Sequence, residues 1–287
     1  MALQNMRITL AQHIISQTDI ESYKRDGFFI AKQILPAREI DPVQKEVAEV
    51  LIEQLQFLDG CERNHSQSVY ELMISLFNKD KARYLACLRV AAKLHSLQML
   101  MMNPTIVSYA KALGVELPIM QARPVYHVMS HELKFPGGYF GFGVHQDWPA
   151  LQSSLDMVTA WVPLIDVDKN LFPLEVVPRS HLFGLYSGNV TEHLIEIDPK
   201  EYNESDFVAI EADKGDVIFM SAFSLHRSGM NGRINAVRFA ASCRYENAKE
   251  KYFVEHCFPF CQQTTIQRDF IIKDFPNEKQ VRDVFNK

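Results

Sequence analysis

Apolar residues recur at helical spacing through most of the first 115 residues of the chain. Between residues 37 and 58 they follow one another at intervals of three and four, which places them on one face of an α-helix. These positions are Ile40, Val43, Val47, Val50, Leu51 and Leu55. The segments 68–80 and 82–101 continue the helical pattern. For an earlier helix, Asp19 is the expected N-cap and Gly27 the expected stop, the usual roles of these residue types.

From about residue 116 the pattern changes to short apolar runs separated by proline, glycine and other turn-forming residues. Such runs predict strands, as does FFIAKQIL (28–35) in the helical part. The later candidates are MVTAWVPLID (157–166), PLEVVP (173–178), FVAIEA (207–212), GDVIFMSAFSLH (215–226) and AVRFAASCRYE (236–246). Several short strands without long helices between them predict an antiparallel sandwich or barrel.

The two patterns together predict a mainly β fold with flanking helices. We expect one domain over residues 1–287, since no linker, repeat or low-complexity segment interrupts the chain. Its expected parts are a helical layer over about 1–115, a β core over about 116–250 and a C-terminal tail over 251–287.

Composition excludes several classes of function. The 287 residues are 47% hydrophobic and 23% charged, with a net charge of −5 and no basic run, which argues against nucleic acid as a partner. No apolar stretch approaches the roughly 20 residues needed to span a bilayer, so no membrane association is expected. The N-terminus does not read as a signal peptide. The five cysteines are scattered and suggest no disulfide framework, and a reducing, cytoplasmic location is the expectation.

The triplet His145-Gln146-Asp147 supplies two metal-ligand side chains two positions apart, just after a glycine-rich aromatic run. On a strand, residues two apart point to the same face, so an imidazole and a carboxylate would converge. They would form two thirds of a 2-His-1-carboxylate facial triad, the ligand set of non-haem Fe(II) that leaves positions open for a cosubstrate and O2. The third ligand is expected on another strand, and His226 at the end of the run 215–226 is the candidate.

Arg238 stands in the apolar strand AVRFAAS, where a buried charge needs a partner. That partner is either an internal carboxylate or the carboxylate of a bound ligand, which a guanidinium can hold by two hydrogen bonds. Ser228, two residues past His226, could donate a hydroxyl hydrogen to the same anion.

The ordered pieces resemble one enzyme family. HQD (145–147), TAWVPLID (159–166), PLEVVPRSH (173–181) and GDVIFMSAFSLHRSG (215–229), followed by Arg238, are similar to the phytanoyl-CoA dioxygenase-like branch of the Fe(II)/2-oxoglutarate oxygenases. The opening YKRDGFFIAKQILPAREI is also similar to that branch. The resemblance covers roughly residues 20–246.

The resemblance implies a double-stranded β-helix, or jelly roll, with the helices flanking it. It implies Fe(II) bound by His145, Asp147 and His226, with 2-oxoglutarate and O2 as cosubstrates. Arg238 and Ser228 would bind the distal carboxylate of 2-oxoglutarate. The remaining cosubstrate candidates are Trp161, Met129 and Ser130. Because Asp147 is present, oxygenation of a small-molecule C–H bond, releasing succinate and CO2, is expected rather than halogenation.

Further candidates lie in the loops around the triplet. The side chains that could line a substrate mouth, or meet an anionic substrate, are Phe140, Phe142, Trp148, His127 and Lys134. His256, Cys257 and Cys261 lack a second ligand pair, which argues against a zinc site there. Two positions depart from the family pattern, which usually has glycine where this chain has Phe172 and Arg179, so altered turns are expected.

Two other functions compete with the oxygenase. One is a non-catalytic jelly-roll protein that binds a metal or ligand. The other is a zinc hydrolase using the same three ligands, in which Arg238 would have no purpose. The substrate and the oligomeric state stay open, because fold-level analogy does not select them.

Overall fold

The structure is a computed structural model. It describes residues 15–61, 66–120, 124–135, 140–191 and 195–258. Its helices are α1 (Gln17–Asp26), α2 (Ala37–Asp59), α3 (Val69–Lys79), α4 (Lys81–Ala91), α5 (His95–Met101), α6 (Pro104–Ala112), α7 (Trp148–Leu151) and α8 (Lys251–Glu255). Within the described ranges, none of the helices combines the length and the apolar character that crossing a bilayer requires.

The first helix begins at Ser16, and the expectation that Asp19 caps it is wrong. Ser16 has extended backbone, and its hydroxyl accepts a hydrogen bond from the Asp19 N–H. The Asp19 carboxylate reaches back to the Ser16 N–H, which completes a capping box. Gly27 ends the helix as expected, with a left-handed φ of 83°. A Cβ at Gly27 would lie 2.4 Å from His181 Nδ1, so only glycine fits this turn.

Eleven strands are present in the described residues. They are β1 (Phe28–Ala31), β2 (Pro118–Met120), β3 (Val125–Met129), β4 (Val158–Pro163), β5 (Leu174–Val176), β6 (Gly188–Val190), β7 (Ile195–Ile197), β8 (Val208–Ile210), β9 (Val217–Ser221), β10 (His226–Ser228) and β11 (Arg238–Asn247). Each strand candidate of the sequence overlaps an observed strand, which is shorter than the candidate, and β11 runs one residue past its candidate. The hairpin of β6 and β7 and the separate strand β10 were not predicted.

Nine of the strands form two sheets that face each other, and β6 and β7 pair separately. The larger sheet has the order β1-β9-β4-β11-β2, with β3 also paired to β11, and the smaller sheet has the order β10-β5-β8. All of these pairings are antiparallel. Antiparallel sheets facing each other, with helices on the outside, confirm the expected mainly β, jelly-roll core with flanking helices.

Successive residues of β11 point alternately toward the helices and toward the space between the two sheets. The residues that pack against the helices are Phe239, Ala241, Cys243 and Tyr245. Ala240 packs instead into the apolar core between the two sheets. Because successive residues of a strand point to opposite faces, Arg238, Ser242 and Arg244 share the face of Ala240. Polar side chains therefore project into the space between the sheets.

The helical layer covers the opposite face of the larger sheet. The buried residues of α2 are Ile40, Val43, Val47, Leu51, Ile52 and Leu55. Phe29 of β1 and Tyr109 of α6 stack on Phe219 of β9, with ring centroids 5.4 and 5.5 Å from it. Burial of such apolar side chains supplies the main favourable free energy of folding, so this face fixes the larger sheet in place.

The two positions at which the family usually has glycine keep a glycine-like backbone. Phe172 has φ 49° and Arg179 has φ 67°, both in the left-handed region. Phe172 is fully buried and packs against Gly232. A Cβ added to Gly232 would lie 2.0 Å from the Phe172 ring. The turns therefore differ in side chain but keep the backbone conformation that glycine favours. A non-glycine residue with positive φ is strained in this conformation.

Candidate active site

The three candidate metal ligands lie together between the sheets. His145, Asp147 and His226 are all buried, and one ligand atom from each lies within 4.8 Å of the others. This is the only such group of histidine, cysteine or carboxylate side chains among the described residues. Nε2 of His145 is 3.9 Å from Oδ1 of Asp147. The spacing is short enough for one ion to contact all three.

His145 and Asp147 point to the same site, but not because they alternate on one strand, as the sequence suggested. His145 lies in an isolated antiparallel bridge with His226, and Asp147 has helical backbone (φ −71°, ψ −35°) immediately before α7. His226 does not end the strand that precedes it. That strand, β9, stops at Ser221, and His226 begins β10 in the smaller sheet. The ligands therefore meet where the chain passes from one sheet to the other.

Both histidines present the same ring nitrogen to the site. Nδ1 of His145 lies 2.8 Å from the Gly143 carbonyl, and Nδ1 of His226 lies 3.0 Å from the Ser224 carbonyl. A carbonyl oxygen only accepts, so each Nδ1 carries the hydrogen and each Nε2 keeps its lone pair. Burial lowers the pKa of His145 to about 3, with a contribution from neighbouring His226, and burial also lowers the pKa of His226. Both imidazoles are thus neutral at neutral pH, the form that binds metal.

Asp147 is ionised despite its burial. Burial alone would raise the pKa of its carboxyl, but the neighbouring Arg244 guanidinium outweighs this effect and holds the pKa well below its usual range. Arg244 donates from Nη2 to Oδ1 at 2.8 Å and from Nε to Oδ2 at 3.2 Å. Thr159 donates its hydroxyl hydrogen to Oδ2 at 2.7 Å. The carboxylate is charged and fixed in orientation.

A small cavity of about 20 Å³ adjoins the two histidines. Its lining residues are His127, Phe142, His145, Thr159, Trp161, Leu174, Met220, His226, Arg227, Ser228, Arg238, Ser242 and Arg244. Three arginines are among these residues, of which Arg227 is paired with Glu175 and Glu204, and Arg244 with Asp147. Arg238 is the arginine of this lining that could meet the carboxylate of a ligand.

The expected cosubstrate residues occupy one end of the cavity. Arg238 is 1% exposed, and its Cζ lies 5.5 Å from the centre of the Trp161 ring. Ser228 lies nearby on β10, and its Oγ accepts a hydrogen bond from the Phe142 N–H at 3.1 Å. A hydroxyl that accepts in this way still has its own hydrogen to donate. The structure thus brings Arg238, Trp161 and Ser228 to the same cavity.

Met129 and Ser130 occupy different surroundings. Met129 pairs with Arg238 across β3 and β11, so the two side chains share a face of the sheet. Ser130 does not line the cavity. Its hydroxyl lies 2.5 Å from Glu132 Oε2 and 3.1 Å from the Tyr70 hydroxyl. Of the two alternatives, Met129 lies on the side of the expected cosubstrate and Ser130 does not.

Two of the five expected substrate-lining residues line the cavity, and the other three lie outside its lining. Phe142 and His127 line the cavity, and their rings meet edge to face with centroids 6.1 Å apart. Trp148 lies outside that lining, where it stacks on Phe223 at 5.6 Å and donates from Nε1 to the Ser153 carbonyl.

Phe140 and Lys134 also lie outside the cavity lining. They contact each other, with Lys134 Nζ 5.1 Å from the Phe140 ring centre, and Phe140 packs beside His131 and Phe172. Phe140, Lys134 and Trp148 thus pack against neighbours outside the cavity lining, and their contact with a substrate stays a prediction. His256 and Cys257 are exposed, and Cys261 lies outside the described residues.

Sequence reasoning missed Arg244, Thr159 and Ser242. Arg244 stands six residues after Arg238 on the same strand, and an even spacing places both on one face. That spacing was available in RFAASCR. Thr159 likewise stands two residues before Trp161. Identifying their target, Asp147, requires the three-dimensional pairing of β4 with β11.

A family comparison agrees with this arrangement. The family model for phytanoyl-CoA dioxygenase (PhyH) matches residues 23–232. The chain belongs to the PhyH family. This confirms the resemblance found in the sequence and places the chain among the non-haem Fe(II)/2-oxoglutarate-dependent oxygenases, whose cofactors are Fe(II) and 2-oxoglutarate.

Individual relatives of this PhyH-family chain are distant. It is 23% identical over 257 residues to "Phytanoyl-CoA dioxygenase domain-containing protein 1 homolog" of Dictyostelium discoideum, covering 77% of this chain and 88% of the relative. It is 22% identical over 265 residues to the peroxisomal phytanoyl-CoA dioxygenase of Homo sapiens, covering 87% of this chain and 73% of the relative.

A solved structure has the same fold. The epimerase SnoN, in complex with Fe3+, alpha ketoglutarate and nogalamycin RO, superposes with a TM-score of 0.55 at 19% identity, covering 80% of this chain and 83% of SnoN. At this identity the similarity concerns the fold alone. The reaction of this PhyH-family chain must be argued from its own site.

Proposed function

We propose that this PhyH-family protein is an Fe(II)- and 2-oxoglutarate-dependent dioxygenase that hydroxylates a C–H bond of a small-molecule metabolite or natural-product intermediate, releasing succinate and CO2. The observation that carries the proposal is the buried cluster of His145, Asp147 and His226. Two neutral imidazoles and one carboxylate are the donor set that suits non-haem Fe(II) and leaves coordination positions open.

The donor atoms fit such an ion without rearranging their hydrogen bonds. Each histidine already donates its Nδ1 hydrogen to a backbone carbonyl, which fixes the ring and directs Nε2 to the site. The Asp147 carboxylate is held on its outer side by Thr159. Fe(II) would be bound by His145, Asp147 and His226.

The cavity beside these ligands would offer the Arg238 guanidinium to a dicarboxylate. Arg238 and Ser228 would hold the distal carboxylate of 2-oxoglutarate, with Trp161 beside the guanidinium. Arg227 also borders the cavity, but it is bonded to Glu175 and Glu204 at 2.6 Å each and is engaged there. The buried Arg238 is the candidate for holding a bound carboxylate, since a guanidinium and a carboxylate form paired hydrogen bonds.

When bound, iron and 2-oxoglutarate supply the oxidising chemistry, and the protein orients and shields the reactants. Phe142 contributes an apolar wall next to His145, with ring centroids 5.4 Å apart. His127 borders the same space, and burial, with smaller effects of Arg238 and Arg244, holds its pKa well below the usual range. It is therefore a neutral side chain beside the reacting centre. Phe142 and His127 are the described residues best placed to contact the substrate.

The test is iron-dependent succinate formation by the full chain. Protein reconstituted anaerobically with Fe(II) is mixed with 2-oxoglutarate, O2 and a library of small-molecule metabolites, and succinate is quantified. We expect succinate formation that requires Fe(II) and increases with a true substrate. Arg233→Met, which removes a surface ion pair with Asp168, is the matched control and should retain activity. No iron uptake and no iron-dependent turnover with any compound would reject the proposal in favour of a non-catalytic binding protein.

A further inference from the structure

The Asp147 carboxylate forms an ion pair with an arginine that the family resemblance does not assign to the site. The Arg244 guanidinium contacts both carboxylate oxygens, and the two side chains are only 16% and 6% exposed. A planar guanidinium bonded to both oxygens fixes the plane of the carboxylate as well as its position. The contact therefore determines how Asp147 is presented to its surroundings.

The two oxygens of Asp147 have different surroundings. Oδ2 accepts hydrogen bonds from Thr159 at 2.7 Å and from Arg244 Nε at 3.2 Å. Oδ1 accepts from Arg244 Nη2 at 2.8 Å and is the oxygen that lies 3.9 Å from His145 Nε2. A carboxylate oxygen has two lone pairs, so Oδ1 can keep this bond and still bind an ion. Oδ2, with two donors, is already saturated.

The register of the larger sheet explains why both donors converge. Arg244 of β11 lies directly opposite Thr159 of β4. Directly opposite residues in an antiparallel pair project to the same face. Both side chains therefore leave the sheet at the same place and meet Asp147, which approaches from the loop before α7.

The guanidinium is itself held by a further polar chain. Arg244 Nη1 donates to Ser242 Oγ at 3.0 Å, and Ser242 Oγ lies 2.8 Å from His127 Nε2. Two anchors on one guanidinium leave it little rotational freedom. Arg244 is also distinct from the expected 2-oxoglutarate arginine, because it stands six residues beyond Arg238 on β11 and its guanidinium is bonded to Asp147.

We propose that Arg244 is a positioning residue of the metal centre. Together with Thr159 it holds Asp147 so that Oδ1 alone is offered to the metal. The inference rests on the proposed function, in that His145, Asp147 and His226 must bind the metal. Arg244 acts through Asp147 and touches neither the metal nor the substrate in this role.

The experiment measures metal binding rather than turnover. The dissociation constant of Mn2+ and the visible absorption spectrum of the Co2+ form are determined for the full-length wild type, Arg244→Met, Arg244→Lys and Thr159→Val. We expect Mn2+ binding to weaken about 10- to 100-fold in Arg244→Met, as is usual when an outer partner of a ligand is lost. Arg244→Lys should recover part of the affinity, because an ammonium keeps the charge without the two-point geometry.

The Co2+ spectrum separates positioning from a general loss of stability. A changed carboxylate coordination should alter the visible bands in Arg244→Met and, to a smaller extent, in Thr159→Val. Arg233→Met, an arginine removed from a surface ion pair, should keep the wild-type spectrum and affinity. If Arg244→Met does not fold, Arg244→Lys replaces it, with an expected loss of several-fold in affinity.

The outcomes distinguish this inference from the proposed function. A wild-type affinity and spectrum in the Arg244 variants would overturn the positioning role and leave the iron site intact. Failure of the wild type to bind either ion would overturn both. Weaker binding with an altered Co2+ spectrum, confined to the Arg244 and Thr159 variants, supports the inference.

Discussion

His145 and His226 are joined by a reciprocal pair of backbone hydrogen bonds. Each residue's N–H donates to the other's carbonyl at 3.0 Å, and the two imidazole rings lie with centroids 4.1 Å apart. The bridge ties a loop to the first residue of β10, 81 positions later in the chain. The backbone thus sets the separation of two candidate metal ligands, and no ion is needed to bring them together.

This bridge predicts that the metal-free protein stays folded. Removing metal with a chelator should leave the far-ultraviolet circular dichroism unchanged at 25 °C. Metal added back at about 100 times its dissociation constant should stabilise the protein by about 2.7 kcal/mol, the effect of mass action alone. Thermal unfolding with and without Mn2+ measures this difference. A chelated protein without secondary structure would show that the metal, rather than the bridge, organises the site.

Removing Asp147 should affect both stability and activity. In Asp147→Ala the buried Arg244 loses its counter-charge, so we expect the free energy of unfolding to fall by about 3 kcal/mol, with loss of iron-dependent turnover. Adding Arg244→Met should restore part of the stability but none of the turnover. Urea denaturation and succinate formation measure the two effects. Wild-type turnover in Asp147→Ala would show that this carboxylate is not a metal ligand.

Arg238 should determine the requirement for 2-oxoglutarate. Arg238→Leu removes charge-assisted hydrogen bonds worth roughly 1.5–3 kcal/mol, which corresponds to an increase of about 10- to 150-fold in the KM for 2-oxoglutarate. Metal affinity should stay near that of the wild type. Steady-state kinetics at varied 2-oxoglutarate, with Mn2+ binding as the control, checks both. If the KM does not change, Arg238 serves an internal contact instead.

Glu246 should make the stability depend on pH. Burial raises the pKa of its carboxyl to about 7, although a hydrogen bond with Ser153 opposes this rise, and the side chain is only 4% exposed. The folded state then retains a proton that the unfolded state releases above about pH 4.5. Stability contributed by this group is present below pH 4.5 and is lost as the pH rises to 7.

Glu246→Gln should remove that dependence. Relative to the variant, the wild type should lose about 2–3 kcal/mol of unfolding free energy between pH 4.5 and pH 7. Urea denaturation of both proteins across this range gives the difference. Parallel curves would mean that Glu246 titrates near its ordinary pKa in the folded protein.

Much of the fold could be predicted from the sequence because the apolar pattern agrees with the packing. The alternation in AVRFAASCRYE became the two faces of β11, and the helical spacing around Val47 became the buried face of α2. The hairpin of β6 and β7 was missed because β6 is exposed and β7 only partly buried, so neither carries a clear alternating pattern.

The sequence predicted which residues form the site, but it did not predict how the backbone brings them together. His145, Asp147 and His226 could be proposed from their order along the chain. The bend between β9 and β10 could not be predicted, because residues 222–225 include neither glycine nor proline. The role of Arg244 depends on its register with Thr159, which is a tertiary property. The loop residues Phe140, Lys134 and Trp148 lie outside the cavity lining, which the sequence could not show because side chains in loops follow tertiary packing rather than a periodic pattern.

The measurement that tests the central claim most directly is an anaerobic absorption spectrum of the protein with Fe(II) and 2-oxoglutarate. If His145, Asp147 and His226 hold iron beside a cosubstrate bound at Arg238, a visible charge-transfer band should appear only when both are present. The band should be absent in Asp147→Ala and should require more 2-oxoglutarate in Arg238→Leu. Iron bound by the wild type with no band on adding 2-oxoglutarate would contradict the account.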